Sequence, residues 1–160
     1  MADFEKIKQE FTDLVLLDVK GKTREELLLN IVKFAKNENL ISDVQIAYNK
    51  FLDREKLGTT AIGNGLALPE ACWIEMGRPY AFILCRAEEE VEFNSLDGKP
   101  VRIILASFGR DKDDLSRLKP MLNLTKLLKS ERFRCDFLKA KDIKEIYDLF
   151  LNRGISDECT

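Results

Sequence analysis

Histidine is absent from all 160 residues of the sequence. A chain without imidazole has no Ser-His-Asp or Cys-His nucleophile pair, no histidine metal ligand and no phosphohistidine relay. Long apolar runs are missing too: none approaches the roughly 20 residues that span a bilayer. The opening MADFEKIKQEF is too polar for a secretory apolar segment, so a cytoplasmic location without membrane insertion is expected. Neither sign of charge is in excess. The 26 Lys and Arg face 28 Asp and Glu, and a formal net charge of −2 gives no overall field for holding nucleic acid. The four cysteines, Cys72, Cys85, Cys135 and Cys159, form no CxxC or other close pair. Neither a zinc site nor a disulfide framework is expected from such spacing, and no metal or other cofactor is implied.

What is present is a globular balance, 45% hydrophobic and 34% charged with 8 Gly and 4 Pro. The length suits one domain, with a core over about residues 14–152 and a frayed tail over 154–160. Phe4, Ile7 and Phe11 share one face of a short opening helix. LVLLDV at 14–19 reads as a strand buried on both faces. Thr23 to Glu26 has capping-box spacing, and Leu27, Leu28, Ile31, Val32 and Phe34 supply the buried face of the helix that follows. Ser42 or Asp43 caps a second helix, with Val44, Ala47, Tyr48, Phe51 and Leu52 as its stripe.

Residues 58–73, GTTAIGNGLALPEACW, are rich in glycine and small side chains and read as loop, short strand near Gly65 to Leu68, and loop. Residues 80–86 and 101–108 read as an antiparallel strand pair, with Asp97-Gly98 as a tight turn. From Asp113 onward the pattern is helical, with Leu115, Leu118, Leu122, Leu124, Leu127 and Leu128 apolar, although Pro120 argues for a late start or a kink. Ser130 and Asp142 cap two further helices, the last with Ile143, Ile146, Tyr147 and Phe150 as its stripe. These elements make one α/β domain with a mixed sheet covered by helices.

The glycine segment is no nucleotide loop. It lacks a Gly-Lys-Ser/Thr ending, and Leu68 stands where a dinucleotide fingerprint needs a small residue. Arg54 to Gly65 (REKLGTTAIGNG) followed by Leu66 to Glu70 (LALPE) instead resembles the active-site segment of the fructose/mannitol-type enzyme IIA of the phosphoenolpyruvate-dependent sugar phosphotransferase system, nitrogen-regulatory IIA proteins included. The resemblance continues through SLDGKPV at 95–101, Arg117-Leu118-Lys119 and Ile143 to Tyr147, and covers about residues 14–152. It implies a three-layer α/β/α sandwich with a mixed sheet. It also implies a phosphoryl-carrying histidine just after the Ala-x-Pro turn, where this sequence has Glu70, and a second histidine where it has Arg117. The family's phosphoryl-holding arginine matches Arg54, and Thr60 and Asn64 of the same segment join Arg54 and Arg117 as candidate binding residues.

Three readings of that exchange stand side by side. A glutamate is negative near pH 7, as phosphohistidine is, so Glu70 held by Arg54 and Arg117 imitates a loaded state. Alternatively Glu70, or Cys72, accepts phosphate itself, a harder reaction for a carboxylate without a metal and neighbouring acids to neutralise the transferring group. Or both positions are solvated surface charges that contribute little. The first makes the chain a docking or regulatory module for an HPr-like carrier, a transporter subunit or a regulator, with a small anion possible near Arg54. The second makes it a carrier in sugar transport. Trp73 and Tyr80, flanking the loop, are candidates for a docking surface.

Overall fold

A computed structural model describes residues 12–111 and 115–154. The expected opening helix of Phe4, Ile7 and Phe11, the helix start at Asp113, Cys159 and the tail beyond residue 154 lie outside the described residues. The described chain forms two compact units, residues 16–111 and residues 12–15 with 115–154.

The first unit is built on a mixed sheet of six strands in the order β1-β5-β6-β3-β2, with β4 also on β6. β1 (Leu14–Val19) is at an edge, and only Val15 and Val19 along it are buried. Burial on both faces was expected from its apolar run; the edge position leaves Leu14, Leu16 and Leu17 half-covered. Helices α1 (Arg24–Asn37) and α2 (Val44–Lys56) follow. Thr23 and Asp43 cap them through the amides of Glu26 and Ile46, at 3.1 and 3.0 Å. The α1 core face is Leu27, Leu28, Ile31, Val32 and Ala35. Phe34, expected there, is half-exposed because 35 and not 34 continues the 27, 28, 31, 32 stripe.

The antiparallel pair is as expected, though β5 (Tyr80–Val91) runs past Arg86 through an irregular stretch before meeting β6 (Val101–Gly109) again at Val91. The glycine segment holds more strand than its composition suggests: β2 (Ala61–Gly63), β3 (Leu66–Ala67) and β4 (Glu70–Ala71). β3 and β4 run parallel to β6 in succession, Leu66 opposite Ile103 and Glu70 opposite Ser107. Backbone bonds from Ile103 to Gly65 and from Ser107 to Pro69, both 3.0 Å, seal the lane between them. Phe51, Phe82, Ile83 and Phe108 lie in the core, with Phe51 edge-on to Phe108 at 5.2 Å.

The second unit is helical. A short 3-10 turn (Leu115–Arg117) leads into α3 (Leu118–Leu128), then α4 (Glu131–Lys139), α5 (Ile143–Leu149) and a π turn (Phe150–Gly154). Ser130 and Asp142 are the caps, accepting from Phe133 and Glu145. Phe133 packs on Phe137 and Phe150 in its core. Pro120 falls in the first turn of α3, where backbone N–H groups have no intrahelical partner, so it is accommodated. Of the six apolar leucines in this helical pattern, Leu124, Leu127 and Leu128 are buried while Leu115, Leu118 and Leu122 are exposed. Ile143 of α5 is likewise on the outside. Among the described residues no helix is long and apolar enough to cross a membrane.

Candidate functional site

One face of α2 carries Lys50, Asp53, Arg54 and Leu57 at spacings of three and four, and it looks toward the end of β4. Together with Glu70, Cys72 and Trp73 these residues line a cleft of about 260 Å³. Glu70 reaches it because the β3–β4 lane runs along β6 toward the end of that strand, where parallel strands deliver side chains to a crevice.

Within the cleft, Arg54 Nε stands 3.5 Å from Glu70 Oε1, with the two side chains 35% and 23% exposed. The guanidinium is oriented from its other side by a 2.8 Å bond from Nη1 to the carbonyl of Gly58. Arg54 and Glu70, matched from separate stretches of sequence, are thus brought together. A half-exposed ion pair of this length contributes about 0.5 kcal/mol to stability, so its consequence is orientation and charge more than stability. Cys72 is half-buried beside it.

The rim is apolar. Leu57 is 84% and Trp73 57% exposed. Trp73 has φ +62°, a left-handed backbone that a bulky side chain adopts at a cost of about 1–2 kcal/mol. The next residues show what holds it there: the Ile74 amide donates to Gly109 at 3.2 Å, and Ile74 and Met76 are buried, leaving Trp73 turned outward between anchors. Tyr80 is half-buried against Phe82, at 5.3 Å between rings.

The remaining candidates sit elsewhere. Thr60 is buried; its amide and hydroxyl both donate to the carboxylate of Glu55, itself buried in the last turn of α2. This bond fixes the chain as it leaves the Arg54 turn. It was invisible in the sequence, where a glutamate inside REK reads as a solvated charge. Asn64 is exposed at the β2–β3 turn with φ +57°, and its amide donates to Asp97 Oδ2 at 3.0 Å. The amides of Lys99 and Asn64 hold the Asp97 carboxyl below the usual carboxylate range. Neither Thr60 nor Asn64 lines the cleft. Arg117 is half-buried in the helical unit, at the N-terminus of α3. Among the described residues no group of three or more His, Cys, Asp or Glu is placed to hold a metal ion.

This arrangement, a carboxylate clamped by an arginine at the foot of an apolar-rimmed cleft, can be set against known proteins. Residues 10–153 match the family described as "Phosphoenolpyruvate-dependent sugar phosphotransferase system, EIIA 2". The chain belongs to this family. It is 26% identical over 135 residues to the PTS system fructose-specific EIIABC component of Bacillus subtilis, a match covering 84% of this chain and 21% of that protein. It is 32% identical over 89 residues to a nitrogen regulatory protein of Pseudomonas aeruginosa, covering 56% and 57% of the two. The EIIA-type chain therefore spans less than two thirds of the length of these curated relatives. The same α/β fold, a mixed sheet with helices, occurs in the nitrogen regulatory protein IIA-Ntr of Neisseria meningitidis, with a TM-score of 0.73 at 22% identity over 85% of this chain and 91% of that one. It occurs again in the IIA component of a complex of enzyme IIAMTL and phosphorylated enzyme IIBMTL from Escherichia coli, with a TM-score of 0.66 at 20% identity over 87% and 94%.

Proposed function

We propose that this EIIA-type chain acts in the cytoplasm by protein docking, in a permanently charged state, and carries no phosphate. The reading rests on one observation above the others: Glu70, at the position matched to the family's phosphoryl-bearing histidine, is paired with Arg54, the residue matched to its phosphoryl-holding arginine. A carboxylate there supplies negative charge without a transfer step, and the arginine that would steady a phosphoryl group steadies the carboxylate. Absence of histidine from the whole sequence removes the alternative imidazoles. A small anion near Arg54 competes with Glu70 for the same guanidinium. The exposed Leu57 and Trp73 give a protein partner apolar anchorage at the rim. That partner is an HPr-like carrier, a transporter subunit or a regulator.

The test is a comparison of charge states. A transporter B-component that distinguishes phosphorylated from unphosphorylated IIA relatives is titrated with the wild type and with Glu70→Gln. The wild type should bind with the affinity of a loaded relative and the variant with that of an unloaded one. Equal binding by the two would remove the charge-imitation claim. The competing reading, a sugar-transport carrier loaded from HPr through Glu70 or Cys72, has the position of Cys72 in the same cleft in its favour. Hydroxylamine-sensitive label would assign it to Glu70, and label lost in Cys72→Ser would assign it to the thiol.

A further inference from the structure

Helix α3 has two apolar faces, and only one of them is used by the core. Pro120, Leu124, Leu127 and Leu128 are buried. Leu115 in the preceding turn, Leu118 and Leu122 fall on the other side and are 72, 46 and 67% exposed. At about 100° per residue that outer side also holds Lys119, Lys126 and Lys129, all exposed. Between Leu115 and Ser130 the sequence has four cations, Arg117, Lys119, Lys126 and Lys129, and no Asp or Glu. A segment of +4 in a chain of −2 leaves −6 for the remainder. No ion pair joins the three lysines to a described carboxylate.

A helix face whose only role is solvation mixes charge signs and keeps large leucines inside; this one does neither. We propose that it docks a partner protein through a patch with apolar side chains at one end and carboxylates at the other. Charge complementarity selects that occupant. The three leucines fill the first turns with Lys119 among them, and Lys126 and Lys129 the last, an order that matches a patterned protein surface better than the uniform plane of an anionic bilayer. A bilayer would also meet the −6 carried by the rest of the chain. Nucleic acid would leave the three leucines without contacts. The surface is argued without reference to Glu70, so the proposal stands or falls independently of the charge-imitation reading.

The experiment titrates isotopically labelled full-length chain with three probes. These are an amphipathic peptide of leucine and glutamate, its counterpart with lysine for glutamate, and vesicles of phosphatidylserine with phosphatidylcholine. The glutamate peptide should shift amide signals of Leu115–Lys129 and bind more weakly as salt is raised. Leu118→Ser with Leu122→Ser, and Lys119→Glu with Lys126→Glu and Lys129→Glu, should each weaken it about tenfold or more. The lysine peptide should bind the charge-reversed variant and not the wild type. All five substituted residues are exposed, and the amide spectrum verifies that the variants keep their fold. The proposal is overturned by any of four results: no shifts with the glutamate peptide, equal binding of the lysine peptide to the wild type, sedimentation of the chain with the vesicles, or unchanged affinity in the variants.

Discussion

Replacing Thr60 by valine keeps the shape of a buried side chain and removes one hydroxyl. In the native chain that hydroxyl and the Thr60 amide both donate to the Glu55 carboxylate, and both residues are about 5% exposed. The substitution leaves a buried carboxylate with one of those two donors. Hydrogen bonds to charged groups contribute about 1.5–3 kcal/mol, and an abandoned buried acceptor sits toward the upper end, so a loss of about 2 kcal/mol is expected. With a urea dependence of about 2 kcal/mol per molar for a chain of this size, the unfolding midpoint falls by about 1 M. Fluorescence of Trp73, the single tryptophan, reports on the unit that contains the bond. Glu55→Gln and the double variant complete a cycle, and the second substitution should cost far less once the first is made. A midpoint shift under about 0.2 M, or strict additivity in the cycle, would refute the assignment of this bond as the brace behind Arg54.

Four further expectations follow from the geometry. Glu70→Gln should change stability by less than about 1 kcal/mol, since the Arg54 pair is half-exposed; a larger loss in urea unfolding would make the pair structural. Trp73→Gly exchanges lost contacts for relief of a left-handed backbone, so calorimetry should find it within about 1 kcal/mol of the wild type while partner binding falls. Unchanged binding would exclude the rim as a docking surface. Because the folded Asp97 carboxyl lies below its ordinary range, its stabilisation of the 94–99 turn is full above about pH 4 and is lost as pH falls through the lower folded value. Amide signals of Asn64 and Lys99 should move in that acid window and stay still in Asp97→Asn. Burial pushes the Cys85 thiol far above its ordinary range, whereas Cys135 is exposed. Mass spectrometry after brief alkylation should therefore find Cys135 modified and Cys85 intact.

Helix starts were the most legible part of the fold, because a cap is a local chemical event. Thr23, Asp43, Ser130 and Asp142 each accept from the amide three residues on, as their spacing requires. The long strands were legible from β-branched and aromatic content. β2 and β4 were not, since strands of three and two residues are defined by the neighbour they pair with: β2 by the two-residue β3, and β4 by β6, more than 30 residues away. The leucines of α3 and the turn before it were legible as apolar but not as buried or exposed: six leucines in the fourteen residues 115–128 populate two faces, and composition cannot say which face finds a core. At the site, Arg54 and Glu70 were legible through family resemblance, and their meeting depends on the β3–β4 lane that no local pattern announces. Lys50, Asp53 and Leu57 had a usable signal in their helical spacing to Arg54. Glu55 had none, because its burial is set by Thr60 on the next segment.

Phosphoryl transfer provides the most direct measurement. The purified chain is incubated with enzyme I, HPr and radiolabelled phosphoenolpyruvate, with Glu70→His alongside, and label on each polypeptide is counted after native separation. The account predicts none on the wild type and label on Glu70→His, whose docking surface is intact and whose acceptor is restored. Label on the wild type would contradict the claim that this EIIA-type chain works through charge it never has to acquire.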